Sequence, residues 1–329
     1  MNLCNFIFVG AVCAVCSLTA FTQTVPKSDT PTTPTKSEAI KTDSSSNLVI
    51  VIPLIGAVGP CVDGDKWFSA TDFEKALAKA EKLSPAAIIL EIKSPGGLVA
   101  TEERIIQMII DSQGRGTRIV AWVTDAGSAA ALITLACKEI FVMPSARVGA
   151  AVTIVSGDSG TVSLKSLTEN DPELAAKFES FHSATHKSAA EATGRSPAIA
   201  DAMRDMSKEL WWSSEGGFSE TRRAETDELI DGPKTVLTLT AGTMEKTGLA
   251  KKKNSRDEVI QSLGMRRSPK ELIFSTEMGK NPKNLQRWLK DLEDYKKSIK
   301  NATSIENSSK ATEEFQKRIF QIKQLLGEL

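Results

Sequence analysis

The sequence has little of the side-chain chemistry on which most metal sites and catalytic triads depend, since it holds two histidines and one tyrosine in 329 residues. His182 and His186 stand four residues apart and could bind one metal together, but no third ligand stands out. Zinc sites use at least three protein ligands. We therefore interpret the histidines as a solvated pair and predict neither a metal nor another cofactor.

The sequence also lacks a net charge, because Lys plus Arg and Asp plus Glu both number 41. Without an excess of positive charge, no overall field attracts the chain to nucleic acid or to an anionic membrane. Nucleic acid is therefore not among the predicted partners.

Cysteine is scarce beyond the first residues. Three of the five cysteines lie within the first sixteen residues, which leaves Cys61 and Cys137. These two form one disulfide at most, which export would permit. Two scattered cysteines without C-x-x-C spacing are also typical of unpaired small hydrophobic residues, so both interpretations stay open and no metal site is predicted.

Long apolar runs are absent except at the N-terminus, where one extends from Phe6 to about Phe21. It is short for a bilayer span and lies where a secretory signal lies. We predict a signal peptide at residues 1–22, with an uncleaved membrane anchor or a buried helix as alternatives. Residues 23–46 are rich in Pro, Ser, Thr and Lys and are interpreted as a disordered linker. The protein is thus predicted to be exported to the periplasm or another extracytoplasmic space.

Residues 47–265 alternate between apolar strands and amphipathic helices. The unbroken apolar run NLVIVIPLIGAVG predicts a strand covered on both faces. Further strands are predicted at AAIILEI, at RIVAWV, which is expected to be buried, and at EIFVM. The first helix is expected to begin at a capping box of Thr71 and Glu74. The alternation predicts right-handed crossovers and a largely parallel sheet, so the domain is assigned to the α/β class.

Beyond this pattern, two more helices are predicted at about 172–193 and 197–210. Residues 266–329 are charged, with apolar residues at three- and four-residue spacing. We interpret them as a C-terminal helical extension that packs on the core or on a partner subunit.

Ser128 stands between Gly127 and an alanine-rich apolar helix in the stretch DAGSAAALITLACKEIFVMP. A serine at the first turn of a helix presents its hydroxyl and places the following backbone N–H groups where negative charge forms during acyl transfer. The alanines leave room for a substrate backbone. Ser128 is predicted to be a nucleophile with the Ala129 N–H as an oxyanion donor, and an ordinary N-cap is the alternative.

Gly96 and Gly97 follow the strand AAIILEI in the stretch KSPGG. Glycine permits backbone dihedrals that turn N–H groups toward a ligand without an obstructing Cβ. Ligands of open parallel sheets gather at the carboxyl ends of the strands, where these glycines and Ser128 would both lie. We predict that the glycines contribute to an oxyanion hole, with an ordinary turn as the alternative.

Four blocks of the sequence carry a resemblance to a known group: LVIVIPLIGAVGP, AAIILEIKSPGGLV, GSAAALITLACKEIFVMPSARVGAA and VLTLTAGTMEKTGLA. Together, over about residues 48–265, they resemble the N-terminal protease region of NfeD-type proteins, in the Clp protease/crotonase superfamily related to signal peptide peptidase. The resemblance implies a spiral of ββα units and self-association as a dimer or larger homo-oligomer. It also implies a Ser-Lys dyad that cleaves hydrophobic, often membrane-derived, peptide segments.

The resemblance assigns roles to single residues. The family's nucleophile falls on Ser128, and its Pro-Gly-Gly oxyanion strip falls on Pro95, Gly96 and Gly97. The base falls on Lys177, at the family's spacing before the downstream Gly-Arg pair. The stretch SGDSGTVSLKSLTEN makes the separation between the nucleophile and this lysine wider than the family's.

Helical periodicity independently favours Lys177 as a buried base. Leu174, Phe178 and Phe181 share one face of the predicted helix with it, so the lysine would interrupt an apolar stripe that faces the core. Burial disfavours the charged form of an amine, and a base must be neutral. The alternative is a lysine that extends its stem along apolar surface.

Three other bases fit the sequence less well. Lys165 and Lys187 are the lesser lysine candidates. His182 borders the same stripe and would give a Ser-His arrangement like that of the Clp subunit.

Three features are candidates for substrate contact. Leu98 follows the glycine strip, and the strand ARVGAAVTI, with Val148, Gly149 and Ala150, has an edge that could pair with an extended peptide. The tryptophan pair in ELWWSSEGGF is either core packing or an apolar lip over the substrate groove.

Taken together, these residues predict an exported serine endopeptidase that acts on a hydrophobic peptide or a membrane protein. One alternative is a non-catalytic peptide-binding or scaffold protein on the same fold, which Lys93 supports weakly because many relatives carry an acid before the glycine strip. The other is acyl-CoA chemistry, since crotonases use a related fold. The export signal argues against it, because coenzyme A is cytosolic.

Overall fold

A computed structural model describes most of the predicted domain. It covers residues 47–59, 66–157, 160–163, 172–265 and 269–274, with a few residues between 290 and 317. The predicted signal peptide and linker, Cys61 and Lys165 lie outside the described residues.

Strands and helices alternate through the first half of the domain. The strands are β1 (Leu48–Ile55), β2 (Ala57–Val58), β3 (Trp67–Phe68), β4 (Ala87–Ser94), β5 (Ile119–Gly127), β6 (Glu139–Val142), β7 (Arg147–Gly149), β8 (Ile154–Gly157), β9 (Gly160–Ser163), β10 (Leu210–Ser213), β11 (Gly217–Ser219), β12 (Glu228–Asp231), β13 (Thr238–Thr240), β14 (Lys251–Lys252) and β15 (Lys270–Ile273). The helices are α1 (Ala70–Lys82), α2 (Val99–Gly114), α3 (Ala129–Leu135), α4 (Pro172–Ala192), α5 (Ala198–Arg204), α6 (Ala241–Lys246) and α7 (Arg256–Ser262).

Within the described residues, eight strands form one sheet. Along one path its order is β13-β7-β5-β4-β1-β15, and β6 joins β5 to β14. Neighbouring strands are parallel except for β13 and β7. The α/β prediction with a largely parallel sheet is therefore confirmed.

The sheet is buried on both faces, as the unbroken apolar strands predict. Ile50 and Ile52 of β1 pack with helix residues such as Phe73 on one face. Val49 and Val51 turn to the other face and pack with Val259 of α7. Because alternate side chains of a strand point to opposite faces, β1 contributes to both core layers.

Two details of the helices differ from the predictions. The N-cap of α1 is Ser69, whose Oγ accepts a hydrogen bond from the backbone N–H of Asp72, two residues before the predicted capping box. The helix expected at about 197–210 ends at Arg204. Residues 205–209 form a turn and irregular structure, and Leu210 begins β10, which pairs with β11 and β12. Trp211 and Trp212 lie half-buried in this small sheet.

The beginning of the predicted C-terminal extension is also different. Residues 270–273 form β15, which runs parallel to β1 with Leu48 opposite Lys270. The sheet thus continues past the predicted boundary at residue 265, because a partner strand far away in the sequence pairs with this segment. No helix among the described residues is long and apolar enough to cross a membrane.

Candidate active site

Ser128 joins the carboxyl end of β5 to the beginning of α3. Its φ is 50° and its ψ is −127°, and its side chain makes no capping hydrogen bond. Its backbone N–H donates to the Gly149 carbonyl at 2.8 Å. A positive φ strains a residue that has a Cβ, and strain of this kind concentrates at functional sites. A sharp strand-to-helix turn of this type presents a serine hydroxyl away from the backbone.

The glycine strip packs directly against this turn. Gly96 has a φ of +101°, and a Cβ there would lie 2.5 Å from the Cβ of Ser128. The Gly96 carbonyl accepts from the Val58 N–H at 2.9 Å, and Val58 in turn accepts from the Leu98 N–H at 2.7 Å. These bonds fix the strip beside the serine. The predicted meeting of the strip and Ser128 at one edge of the sheet is confirmed.

The two predicted oxyanion glycines differ in their N–H groups. The Gly96 N–H donates to Ser94 Oγ at 3.1 Å, so it is already occupied. The N–H groups of Gly97 and Ala129 find no acceptor among the described residues. Both residues line the same cavity as Ser128. This arrangement suits an oxyanion, which needs donors that are not already engaged.

The cavity beside Ser128 has a volume of about 40 Å³. Part of its wall is small or apolar and comes from Gly97, Val99, Ser128, Ala129, Leu132 and residues 151–154. The rest comes from three buried ionisable side chains, those of Glu102, His186 and Arg204. Buried ionisable groups in a cleft mark a functional-site candidate.

His186 and Glu102 form a buried pair within this wall. His186 Nε2 and Glu102 Oε1 lie 2.6 Å apart, and the side chains are 4% and 3% exposed. His186 Nδ1 is buried without a hydrogen-bond partner among the described residues. Burial raises the pKa of the Glu102 carboxyl, although the hydrogen bond from His186 and the positive charge of Arg204 oppose the rise.

A second pair repeats this contact one turn away. His182 Nδ1 lies 2.7 Å from Glu103 Oε1, and this pair is less buried, at 18% and 23%. Consecutive glutamates on α2 therefore meet histidines four residues apart on α4, because residues i and i+4 share one face of a helix. His182 does not line the cavity, so the structure does not bring this candidate base to Ser128.

The core-facing side of α4 is not the one that the sequence predicts. Lys177 is exposed and lies outside the cavity wall, and Phe181 is 72% exposed. Among the α4 side chains that the structure describes, the buried ones are instead His186, Ala189 and Ala190. The interpretation of Lys177 as a buried residue is therefore wrong, since its side chain is exposed.

Lys187, the other lysine candidate among the described residues, is paired with a carboxylate. Lys187 Nζ lies 3.2 Å from Asp201 Oδ2 on α5. Lys187 is thus better explained as a link between α4 and α5.

The predicted substrate-contact residues lie in different environments. Leu98 is 49% exposed beside the strip, whereas Val148 is buried. The strand β7 pairs with β5 on one side and β13 on the other, through Val148 and Gly149 in both cases. It therefore offers no free edge to an extended peptide at these residues. Ala150 is exposed, but its N–H donates to the Leu237 carbonyl at 2.9 Å.

Three other predictions concern side chains away from this wall. Trp211 and Trp212 are not among the residues that line the cavity, and Trp211 Nε1 donates to Glu209 at 2.9 Å. Cys137 is a free, fully buried thiol. Within the described part of the chain, no group of three or more His, Cys, Asp and Glu residues is placed to hold a metal ion.

Sequence reasoning missed the roles of Glu102, His186 and Arg204 at the cavity. The available signal was the adjacent acidic pair at residues 102–103, which comes a few residues after the glycine strip. Two acidic residues at the beginning of one helix can pair with two histidines that lie on one face of another helix. This pairing, rather than apolar periodicity, indicates how α4 packs on α2.

Comparisons with known proteins complete the description of the site. The NfeD1b N-terminal domain model matches residues 65–270, which include the glycine strip, Ser128, Lys177 and His186. No curated protein sequence matches the chain.

Three solved structures of one protease are similar to the chain. A serine-to-alanine mutant of the 1510-N membrane-bound stomatin-specific protease is 19% identical, with a TM-score of 0.49 over 70% of this chain and 99% of that one. A lysine-to-alanine mutant in complex with a substrate peptide is 19% identical, with a TM-score of 0.48 over 76% and 99%. The 1510-N membrane protease specific for a stomatin homolog from Pyrococcus horikoshii is 18% identical, with a TM-score of 0.41 over 71% and 96%.

Proposed function

Since the chain belongs to the family of the NfeD1b N-terminal domain, we propose that it is a serine peptidase with Ser128 as the nucleophile. One observation carries the proposal. Ser128 has a positive φ at a strand-to-helix turn and shares a cavity with the N–H groups of Gly97 and Ala129, which find no acceptor among the described residues. A nucleophile beside unoccupied donors is the arrangement that acyl transfer requires.

The proposed reaction has two steps. Ser128 Oγ loses its proton to a base and attacks the scissile carbonyl carbon, and the N–H groups of Gly97 and Ala129 stabilise the oxyanion that forms. The leaving amine takes the proton as the C–N bond breaks, and water then releases the acyl group by the same route. Apart from the substrate and water, these steps use only side chains and backbone groups of the chain.

Lys177 is the base that the resemblance implies. Because its side chain is exposed in the structure, this assignment requires that bound substrate or a second copy of the chain cover the start of α4 and exclude water from the amine. Only a neutral amine accepts the serine proton. The assignment is separate from that of the nucleophile, so a test of one does not decide the other.

A hydrophobic peptide segment, from a membrane protein or elsewhere, is the proposed substrate. Leu98 and Ile154 support it, since they are 49% and 60% exposed near the cavity. Ile154 also lines the cavity wall. The similar 1510-N protease is described as membrane-bound and stomatin-specific, which agrees with this class of substrate.

Export and self-association are also parts of the proposal. Residues 1–22 would direct the chain out of the cytoplasm, with an uncleaved anchor as the alternative. Exposed Phe181 on α4, at 72%, supplies apolar surface that a second copy would cover. Light scattering after gel filtration should give a dimer or a larger species, and a monomer at micromolar concentration would contradict this part.

A serine-reactive fluorophosphonate probe tests the nucleophile. The full chain should be labelled, and Ser128→Ala should abolish the labelling. Ser255→Ala is the matched control, because Ser255 also precedes a helix but accepts a capping hydrogen bond from the Glu258 N–H. Its replacement should leave the labelling unchanged. Equal labelling of Ser128→Ala would reject the proposal.

Two more experiments on the same purified protein test the alternative functions, a non-catalytic scaffold and acyl-CoA chemistry. Peptide binding with no labelling and no hydrolysis would indicate a non-catalytic scaffold protein. Retention on a coenzyme A resin would indicate acyl-CoA chemistry, and we expect the chain to pass through.

A further inference from the structure

We infer that two buried groups around the Ser128 cavity, His186 Nδ1–H and Arg204 Nε–H, donate hydrogen bonds to an oxygen of the substrate. This oxygen belongs to the side chain of the residue that supplies the scissile carbonyl, so the peptidase prefers an amide or a carboxylate there. The inference rests on the proposed function and names the specificity of the same site. It leaves the assignment of the base to Lys177 unchanged.

Both side chains lack a partner for one polar atom. His186 and Arg204 line the cavity together with Ser128, and their side chains are 4% and 5% exposed. His186 Nδ1 and Arg204 Nε are each buried without a hydrogen-bond partner among the described residues. Buried polar atoms are nearly always paired, because an unpaired one costs free energy. Two such atoms around one cavity indicate that their partner arrives with the substrate.

Arg204 can act only as a donor, since a guanidinium has no acceptor. Its Nη2 donates to Glu179 Oε2 at 2.8 Å, which holds the guanidinium and leaves Nε–H unsatisfied. The Glu179 side chain is 45% exposed and does not line the cavity. Water therefore screens the Glu179 charge, and the positive charge of Arg204 is only partly neutralised at the cavity wall. Such a donor requires an oxygen acceptor.

The contact with Glu102 makes His186 Nδ1 a donor as well. Burial is the largest influence on the pKa of the Glu102 carboxyl and raises it, so the pair keeps one shared proton between Nε2 and Oε1, which lie 2.6 Å apart. If this proton lies on Oε1, the neutral ring carries its own hydrogen on Nδ1. If it lies on Nε2, the ring is a cation with a hydrogen on both nitrogens. Nδ1 is an N–H in either case.

The size of the cavity and the position of the nucleophile indicate which substrate group these donors meet. Gly97 and Ala129, the proposed oxyanion donors, line the same cavity. With the scissile carbonyl carbon at Ser128 Oγ, the side chain on the adjoining Cα is the nearest variable group. The cavity of about 40 Å³ has room for roughly three water-sized atoms, which is the size of a carboxamide or carboxylate group. Ile154 in the same wall is apolar, so the flanking residues of the substrate stay hydrophobic.

Three peptides test the preference on the full wild-type chain. They share one apolar sequence and carry Leu, Asn or Asp before the scissile bond, three side chains of nearly the same shape of which only Asn and Asp offer an oxygen. We expect kcat/KM for the better of the Asn and Asp peptides to exceed that for the Leu peptide by about 30-fold or more, because buried donors reject an analogue that leaves them unpaired. Comparison of Asn with Asp tells whether the amide or the carboxylate is preferred.

Two variants assign the preference to the two donors. His186→Phe removes Nδ1–H but keeps a ring, and Arg204→Met removes the guanidinium. Each should lower the ratio of the two kcat/KM values by about fivefold or more. The ratio compares two peptides on one preparation, so it does not depend on the fraction of the variant that is folded. His182→Gln is the matched control, because it removes the neighbouring contact with Glu103 but lies outside the cavity wall, and it should keep the ratio.

The outcomes separate this inference from the proposed function. If the fluorophosphonate probe does not label the wild type, the proposed function fails and the inference with it. If the wild type is labelled but cleaves the Leu peptide as fast as the other two, the inference alone is overturned. A preference for Asn or Asp that survives unchanged in both His186→Phe and Arg204→Met would also overturn it.

Discussion

The backbone of Gly96 lies in contact with the side chain of Ser128, so closely that a Cβ on the glycine would lie 2.5 Å from the serine Cβ. Gly96 also has a φ of +101°, where a side chain is strained whatever the space. This contact sets the position of the next residue, Gly97, whose N–H is a proposed oxyanion donor. The glycine strip therefore acts as a spacer between the donor and the nucleophile.

Gly96→Ala should lower the labelling rate of Ser128 by about tenfold or more, because the new methyl group moves the serine or the strip. We expect the free energy of unfolding to fall by roughly 1–3 kcal/mol, from the clash and the strained backbone together. Probe labelling and chemical denaturation measure the two effects.

The matched control is Gly116→Ala. Gly116 has a nearly equal φ of +96°, but a Cβ there would meet nothing within 4 Å. It should lose about 1–2 kcal/mol from the left-handed backbone alone and keep its labelling rate. If both variants lose labelling equally, general destabilisation rather than contact with Ser128 explains the effect.

Arg195 holds the end of the helix that begins after Ser128. Its guanidinium donates to the carbonyls of Leu135, Cys137 and Lys138 at 2.7–2.9 Å. Because hydrogen bonds from a charged donor contribute more than neutral ones, Arg195→Ala should lower the free energy of unfolding by roughly 2–4 kcal/mol. Urea denaturation measures this loss.

Arg115→Ala is the control for this prediction. Arg115 is 59% exposed and bonds to Glu81 at 2.8 Å, so its loss should cost about 1 kcal/mol or less. Equal losses in the two arginine variants would show that the contacts of Arg195 with the end of α3 add nothing.

Much of this architecture follows from local patterns in the sequence. The unbroken apolar run of β1 predicts a strand that is covered on both faces, and parallel strands bring Gly96 and Ser128 to one edge of the sheet. The buried face of α4 does not follow from apolar periodicity. The predicted apolar stripe overlaps with the two histidines of this helix, and contacts with the acidic residues of α2 turn the histidines inward. The strand β15 is missed for a similar reason, since its pairing with β1 depends on a segment more than 200 residues away.

Cys137 should resist alkylation in the folded protein. Burial raises the pKa of its thiol to about 12, and the thiolate is the reactive form. At pH 8 iodoacetamide should therefore leave the peptide that contains Cys137 unmodified for hours, as mass spectrometry would show. The same peptide should react fully in guanidinium chloride. Modification within minutes in the native protein would mean that α3 opens, or that the thiol is not buried.

Glu102 should make the protein less stable as the pH rises above the ordinary pKa of a glutamate carboxyl group. Burial raises its pKa in the folded state above 4.5, so between 4.5 and the raised value the folded protein binds more protons than the unfolded chain. The free energy of unfolding contributed by this group then falls with rising pH across that window. His186, Glu103 and Arg204 are the charged or titratable groups that act on it.

Glu102→Gln removes this titration, so the wild type should lose stability relative to the variant as the pH rises through the window. Denaturation of both proteins in steps from pH 4.5 upward measures the difference. His186→Gln should extend the window upward, because the hydrogen bond and charge of His186 are the main influences that lower the pKa of Glu102. If the wild type instead gains stability relative to Glu102→Gln with rising pH, the carboxylate is favoured by its surroundings.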